Sequence, residues 1–224
     1  MRIPKALIFD MDGTIVDNMR WHAIAWLALF EDQGCPTTEE EFYKTAGFTS
    51  AEVVRHFISP DLPEEEIRCL ARQKEFLYRF LYKDHIKPVP GLRRLLRDAR
   101  AHGCKLALAT AAGDRNIRFT LKHLQLENEF DAIAGASEVQ RGKPEPDIFL
   151  LAARKLQVEP AECVVFEDGR PGVQAARRAG MGSVAVATVH PAEELQSWPE
   201  VDLVIRDFRE VTVPKLARVL PSNR

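Results

Sequence analysis

The sequence has little excess charge of either sign, since its formal net charge is only −2. We therefore expect neither a nucleic acid nor an anionic membrane as a partner. No uninterrupted apolar run approaches ~18 residues, which argues against a transmembrane helix. The N-terminus lacks the basic and then apolar pattern of a signal peptide. Together these absences predict a cytoplasmic protein.

Cysteine is scarce, with four residues scattered along the 224-residue chain. No two cysteines have the spacing of metal ligands, and each lies in or beside an apolar pattern. We therefore expect reduced thiols that are buried or half-buried, which agrees with a cytoplasmic location. There is also no heptad pattern and no large apolar stripe, so we expect a monomer.

A short apolar run from Lys5 to Phe9 ends in two carboxylates, Asp10 and Asp12. Such a run is typical of a buried parallel strand, and open α/β sheets bind ligands at the carboxyl ends of their strands. Two acids at a buried strand end are costly unless a cation lies beside them. The alternative is an ordinary turn, because aspartate and glycine are common turn residues.

The next segment, residues 18–85, predicts helices and no strand. A helix over 18–33 is followed by two capping-box patterns, Thr38 with Glu41 and Thr49 with Glu52. A further helix begins after Asp61, and its 3.6-residue period runs through Ile67, Leu70, Ala71, Lys74, Leu77, Tyr78 and Leu81. The proline-rich run at 87–91 predicts a hinge or linker.

From Gly91 onward, predicted strands and helices alternate. This alternation indicates an α/β fold, with a parallel sheet covered by helices on both faces. Because the first strand belongs to the same sheet, the helical segment is an insertion. We predict a core domain of residues 1–16 and 89–224 and a helical cap domain of residues 17–88, which could cover the carboxyl edge of the sheet.

Polar residues follow several of the predicted strands of the core. Thr110 ends one strand, Lys143 lies in the loop before a helix, and Glu167 and Asp168 end another strand. Taken alone, Thr110 could be a helix N-cap, Lys143 a solvated surface lysine, and the acidic pair a turn. Together with Asp10 they supply a nucleophilic carboxylate, a hydroxyl donor, a cation and a second acidic pair.

This set resembles the four motifs of the haloacid dehalogenase-like (HAD) phosphotransferase superfamily, in the same order and across essentially the whole chain. The resemblance implies a Rossmann-like core. The insertion directly after the first motif is similar to the small α-helical cap of one subgroup. Residues 17–26, which contain His22 and Trp26 in a His-x-x-x-Trp pattern, resemble the β-phosphoglucomutase-like branch.

The resemblance implies a Mg²⁺-dependent reaction through an aspartyl-phosphate. Asp10 would be the nucleophile, Asp12 the general acid and base, Thr110 a phosphoryl ligand and Lys143 the charge-screening cation. The implied metal residues are Asp10, Asp12 through its carbonyl, Glu167 and Asp168. The implied substrate contacts are His22, Trp26 and Gly47 in the cap and Ala111 and Ala112 after the second motif.

Asp12 argues against a dehalogenase, because a halide needs no proton to leave. A phosphonatase would need a lysine in the cap that forms a Schiff base. Lys44, Lys74 and Lys83 are present, but we expect none of them to be desolvated.

Two interpretations of the cap residues stay open. His22 and Trp26 share one helical face, so Trp26 could be core with His22 satisfied locally, or the face could cover the active site. A mutase also needs a cation for a second phosphate, but the segment beginning at Gly47 has neutral Ser50 where the β-phosphoglucomutase pattern has arginine, and Val53 where it has serine. The second motif also lacks an additional hydroxyl. A hydrolase is therefore favoured over a mutase.

We predict a Mg²⁺-dependent phosphatase that acts on a small phosphorylated metabolite, a sugar phosphate by preference. The alternatives are a β-phosphoglucomutase-type mutase and, from another class, a non-catalytic metal-binding interaction module. The physiological substrate depends on the side chains of the cap and on hinge angles around residues 15–18 and 86–90.

Overall fold

The computed structural model describes residues 3–45 and 49–221. The chain forms two compact units, one of Met1–Asp17 with Lys87–Arg224 and one of Asn18–Ile86. We call them the core unit and the helical unit. Their bounds differ slightly from those of the predicted domains, and the role of the helical unit as a cap stays a prediction.

The core unit contains a parallel sheet of six strands in the order β3-β2-β1-β4-β5-β6. The strands are β1 (Ala6–Phe9), β2 (Lys105–Ala109), β3 (Ala132–Ala134), β4 (Cys163–Glu167), β5 (Gly182–Val186) and β6 (Leu203–Ile205). In the register, Phe9 lies level with Leu108 of β2 and Phe166 of β4. The predicted α/β, Rossmann-like fold is confirmed. The strand ends that carry polar residues are therefore neighbours.

The two faces of the sheet are packed differently. On one face, Ala6 and Ile8 of β1 belong to a cluster rich in alanine that includes residues of the helices at Asp147–Leu156 and Arg170–Arg178. Small side chains let these helices lie close to the sheet. On the other face, Phe9 stacks on Phe166 with ring centroids 4.7 Å apart, and Phe208 meets both rings edge-on. Because helices or loops cover both faces of the sheet, the strands are buried on both sides.

The helices of the core unit alternate with the strands as the sequence predicts, except that α9 was not predicted. They are α5 (Leu92–Ala101), α6 (Asp114–Leu124), α7 (Asp147–Leu156), α8 (Arg170–Arg178), α9 (Ala192–Gln196) and α10 (Val213–Leu216), with numbering that continues from the helical unit. The run at 87–91 is pinned to the first motif segment, since Val89 donates a backbone hydrogen bond to Ile15 and Pro88 pairs with Val16. The two chain crossings between the units therefore lie side by side.

The described residues of the helical unit form four helices, namely α1 (Met19–Asp32), α2 (Glu39–Tyr43), α3 (Ser50–Phe57) and α4 (Glu64–Tyr82). Its core is formed by Trp26, Leu29, Phe30, Val53, Val54, Ile67 and Leu70. Thr49 and Glu52 make the complete predicted capping box at the start of α3. Thr38 accepts a hydrogen bond from the Glu41 N–H, but the Glu41 carboxylate pairs with Lys44 instead of closing the box.

In the part of the chain that the structure describes, no helix combines the length and the apolar character that crossing a bilayer requires.

Candidate active site

Asp10 leaves the sheet directly after β1, and its N–H donates to the carbonyl of Phe166 on β4, with an N–O distance of 3.0 Å. Its carboxylate is buried, at 6% exposure. Lys143 lies against it, with 2.6 Å between Nζ and Oδ1, and also forms an ion pair with Glu167 at the end of β4. The sequence motifs at three separate places in the chain therefore meet at one point.

Glu167 is held on both of its carboxylate oxygens. Oε1 accepts from Lys143, and Oε2 accepts from the N–H groups of Asp168 and Gly169 at 3.1 and 3.3 Å. A Cβ on Gly172, in the first turn of α8, would lie 1.9 Å from the carboxyl carbon of Glu167. Glycine at position 172 thus makes room for a buried carboxylate that is hydrogen-bonded through both oxygens.

Asp168 is fixed by the first motif. The Thr14 hydroxyl donates to its Oδ1 over 3.3 Å, and Gly13 lies against its carboxylate with a φ of +75°. A Cβ on Gly13 would fall 2.2 Å from Oδ2 of Asp168. The glycine after Asp12 is therefore required twice, by the left-handed backbone and by the close approach of Asp168.

Burial raises the pKa of the Asp10 carboxyl to about 8; the Lys143 ammonium opposes this rise, while the charges of Glu167 and Asp12 add to it. Burial also raises the pKa of Asp168 well above its usual value, with the charges of Glu167 and Asp10 acting in the same direction. Burial tends to lower the pKa of Lys143, but Asp10 and Glu167 outweigh burial and hold it above its usual range. Three carboxylates therefore lie near one lysine, which bonds to two of them, and the site has surplus negative charge.

This surplus tests whether the predicted metal fits. Among the described residues, Asp10, Glu167 and Asp168 each place a carboxylate oxygen so that these oxygens lie within 4.8 Å of one another. Hard oxygen donors around an uncompensated negative charge are the ligands that Mg²⁺ prefers. The donor set fits a magnesium ion. Asp12 was predicted to contribute its backbone carbonyl, and that contribution stays a prediction.

Thr110 follows β2, the strand next to β1. It is 1% exposed, its N–H donates to Ala134, and its Oγ1 accepts the N–H of Ala112 over 3.1 Å. The N-cap of α6 is Gly113, so Thr110 is not that cap. Because its oxygen already accepts one hydrogen bond, the Thr110 hydroxyl hydrogen can be donated to a ligand. Ala112 uses its N–H within the loop, whereas Ala111 is exposed.

In the helical unit, Trp26 and His22 have different surroundings. Trp26 is 4% exposed in the core, where its ring stacks on Phe30. The His22 ring lies 3.8 Å from the ring of Tyr78 and is nearly parallel to it, and its Nδ1 lies 2.8 Å from Nζ of Lys74. An ammonium group only donates, so His22 Nδ1 accepts in this contact, while Nδ2 of Asn18 lies 3.5 Å from Nε2 on the other side of the ring.

Lys74 is a residue that the sequence-based reasoning missed. It was expected to be solvated, but the structure buries it to 4% exposure, and this expectation was wrong. Nζ pairs with Glu75 at 2.8 Å and lies 5.2 Å from the ring centroid of Trp26. The signal was present in the sequence, because Lys74 occupies a position of the apolar 3.6-residue period of α4.

Asp12 and Gly47 are the remaining predicted site residues. Asp12 is half-buried and pairs with Val16 in an isolated bridge at the end of the first motif. Gly47 lies outside the described residues. The placement of the His22 face over the active site concerns both units, and it stays a prediction.

Comparison with known proteins identifies relatives of this chain. The Escherichia coli fructose-1-phosphate phosphatase YqaB is 35% identical over 182 residues, which cover 80% of this chain and 95% of the relative. The β-phosphoglucomutase of Bacillus subtilis is 31% identical over 220 residues, 95% of this chain and 93% of that enzyme. A solved HAD hydrolase from Entamoeba histolytica superposes with a TM-score of 0.91 at 29% identity, covering 96% and 99% of the two chains.

These relatives confirm the predicted resemblance to the β-phosphoglucomutase-like branch, and they confirm that the chain is an enzyme. The model of the family described as "haloacid dehalogenase-like hydrolase" matches residues 4–180. This chain belongs to the haloacid dehalogenase-like hydrolase family.

Proposed function

We propose that this enzyme is a Mg²⁺-dependent phosphatase that hydrolyses a small phosphorylated metabolite, a sugar phosphate by preference, through an aspartyl-phosphate on Asp10. The observation that carries the proposal is the cluster at the carboxyl edge of the sheet, where Lys143 lies between Asp10 and Glu167. Asp168 completes the cluster of carboxylates. A phosphatase needs this combination of a nucleophilic carboxylate and nearby positive charge, because an anion must attack an anion.

Asp10 acts as the nucleophile. Lys143 donates to Oδ1 and so orients the carboxylate, which leaves the second oxygen to attack phosphorus as the bond to the leaving oxygen breaks. The ammonium also reduces the repulsion between this carboxylate and the phosphoryl oxygens. Glu167 keeps Lys143 in place, since both of its own oxygens are occupied by hydrogen bonds.

Asp10 and Asp168 are the best candidates for direct magnesium ligands, with Glu167 behind them. When bound, Mg²⁺ supplies Lewis-acid neutralisation of the phosphoryl charge. Thr14 and Gly13 contribute by fixing Asp168, through the hydroxyl contact and through the space that only glycine leaves.

Asp12 is the general acid and base. It protonates the leaving oxygen of the substrate and later takes a proton from the water that hydrolyses the aspartyl-phosphate, so that inorganic phosphate is released and Asp10 is regenerated. Thr110 donates its hydroxyl hydrogen to a phosphoryl oxygen, and the exposed backbone at Ala111 offers a further N–H.

The mutase is the second candidate, because the β-phosphoglucomutase of Bacillus subtilis matches nearly the whole chain. Ser50, the first residue of α3, argues against it, since a neutral serine provides no charge-assisted contact to a second phosphate. We therefore favour hydrolysis, with sugar phosphates as the substrate class because the fructose-1-phosphate phosphatase of Escherichia coli covers 80% of this chain.

The proposal is tested by measuring phosphate released from p-nitrophenyl phosphate and from a panel of phosphorylated metabolites, with Mg²⁺ and with EDTA. We expect Mg²⁺-dependent release that Asp10→Asn abolishes. The matched control is Glu127→Gln, another loss of one carboxylate at an exposed position in the core unit. Normal turnover by Asp10→Asn would remove the nucleophile assignment. Efficient conversion of β-glucose 1-phosphate to glucose 6-phosphate with a bisphosphate activator would favour the mutase. Inactivity on the whole panel would favour the non-catalytic interaction module.

A further inference from the structure

Helix α4 of the helical unit exposes two phenylalanines. Phe76 is 62% exposed and Phe80 is 57% exposed, and their rings are stacked with centroids 6.3 Å apart. Single exposed apolar residues are ordinary, but two stacked rings one helical turn apart form a patch that water solvates poorly. The opposite face of the same helix carries the buried residues Ile67, Leu70, Lys74, Tyr78 and Tyr82. The patch is therefore an outer face of α4.

Exposed charged residues lie on both sides of the patch along α4. One continuous stripe along α4 consists of Glu65, Cys69, Arg72, Phe76, Phe80 and Lys83, since these positions recur every three or four residues and are all exposed. The stripe begins with the acidic Glu65 and ends with the basic Lys83, and the exposed Arg68 and Arg72 lie between Glu65 and the patch. Among the described residues, neither Glu65 nor Arg72 has an ion-pair partner.

This stripe is complementary to itself when a second copy is turned end to end. Along the helix, Glu65 and Lys83 each lie nine residues from Lys74, on opposite sides of it. Arg72 and Phe76 each lie two residues from Lys74, also on opposite sides. In an antiparallel pair of α4 helices, Glu65 of each copy meets Lys83 of the other. Arg72 meets the ring of Phe76, which is the geometry of a cation–π contact. A parallel pair would place like charges opposite each other.

We propose that the enzyme forms a homodimer through α4, with the two helices antiparallel and the two-fold axis at the level of Lys74. Such an interface is isologous, because the same stripe serves both copies. A 19-residue helix is roughly 28 Å long and covers about 300 Å² of its partner, so about 600 Å² is buried in all. This is less than a stable dimer requires. The dimer is therefore weak, with a Kd between about 10 μM and 1 mM.

Sedimentation velocity over a concentration series up to about 1 mM tests the proposal. We expect a concentration-dependent dimer that Phe76→Ser weakens more than about tenfold, because it removes the central apolar contact. Circular dichroism of each variant checks that the helical content is kept. A wild-type protein that is monomeric throughout the series, or a Phe76→Ser protein that dimerises equally well, would overturn the proposal.

A charge swap tests the orientation. Glu65→Lys alone and Lys83→Glu alone each place like charges at both ends of the interface, and each is expected to weaken dimerisation by about threefold to tenfold. The double variant restores opposite charges and should return to the wild-type Kd. Glu40→Lys, an exposed reversal on α2, is the matched control with no expected effect. Failure of the double variant to recover would contradict the antiparallel pairing.

Cross-linking gives an independent measurement of the same geometry. A cysteine at position 73 lies one residue from the two-fold axis, so Gln73→Cys in a Cys69→Ser background should be linked to a dimer by a short bismaleimide. The two Cys69 residues of the wild type lie about 15 Å apart along the antiparallel axis and should not form a disulfide on oxidation. A disulfide dimer through Cys69 would indicate parallel pairing and reject the proposed interface.

Discussion

Each unit of this enzyme buries a lysine, and the two lysines are compensated in different ways. Lys143 of the core unit, whose side chain is 12% exposed, is bonded to two buried carboxylates. Lys74 of the helical unit, at 4% exposure, is bonded to Glu75 and to an imidazole and lies over aromatic rings. Burying an ammonium is costly in both places, and each unit offsets that cost with the groups its architecture provides.

The difference decides what each unit can bind. Around Lys143 the carboxylates outnumber the lysine by three to one, which leaves negative charge for a metal ion. Around Lys74 one carboxylate, with 29% of its side chain exposed, balances one ammonium, which also contacts Nδ1 of His22 and the ring faces of Trp26 and Tyr78. The arrangement around Lys143 suits a reaction centre. The arrangement around Lys74 compensates the charge of that lysine and orients His22.

The largest expected effect comes from removing the lysine of the core unit. Lys143→Met keeps the length of the side chain but deletes the charge between Asp10 and Glu167. We expect kcat for phosphate release to fall by about 10²- to 10³-fold, the usual consequence of losing one electrostatic stabiliser of a transition state. Mg²⁺ affinity, measured by calorimetry, should not fall, because the surplus of negative charge increases.

The matched control for Lys143→Met is Lys155→Met, which removes a lysine that pairs with the exposed Glu138 in the same unit. Its kcat should stay within about twofold of the wild type, as expected of a surface ion pair. If Lys143→Met retained full activity, the difference drawn between the two lysines would have no catalytic meaning.

A smaller effect is expected when the lysine of the helical unit is replaced. Lys74→Met substitutes an apolar side chain of similar volume, and the Glu75 partner can be hydrated. The free energy of unfolding in urea should therefore change by less than about 1.5 kcal/mol. Lys74→Ala leaves a cavity beside Trp26 and should cost about 2–4 kcal/mol.

Nitrogen NMR of the His22 ring separates positioning from packing. In the wild type, we expect the contact with Lys74 to favour a hydrogen on Nε2 of His22, and Lys74→Met should release this preference and give a mixture of tautomers. An unchanged tautomer in Lys74→Met would show that the ammonium does not position the ring.

The sequence could predict which side chains of the core unit meet at the edge of the sheet, because these residues lie at strand ends. An apolar strand followed by Asp10 or by Glu167 and Asp168 marks a position on the sheet edge, and the parallel topology brings such positions together. What the sequence could not provide was the pairing of Lys143 with both Asp10 and Glu167, which depends on the path of a loop.

The site of the helical unit was harder to predict, because its residues are joined by packing alone. The period of α4 puts Lys74 on the apolar face, but nothing in the sequence shows that His22, 52 residues away, lies beside it. Helix α9 was missed because its five residues are too few to establish a period. Gly47 was predicted by resemblance alone.

The smallest effect is expected at Asp207, a carboxylate compensated by one exposed guanidinium instead of a buried lysine. It accepts the N–H of Arg209 over 2.8 Å and pairs with its side chain. The hydrogen bonds from the Arg209 guanidinium lower the pKa of Asp207 below its usual value, and burial opposes this only partly. A lowered folded-state pKa stabilises the protein above the unfolded-state pKa of about 4. This stabilisation is lost as the pH falls through the folded-state value.

Asp207→Asn should therefore lower the midpoint of urea unfolding at neutral pH, and the difference from the wild type should shrink as the pH falls below about 4. Urea titrations at several pH values measure it. Glu127→Gln, at an exposed position of the same unit, is the control and should show little difference at any pH. A difference between Asp207→Asn and the wild type that grows on acidification would have the wrong sign. It would mean that burial, and not the arginine, dominates the ionisation of Asp207, as it does for Asp10 at the carboxyl edge of the sheet.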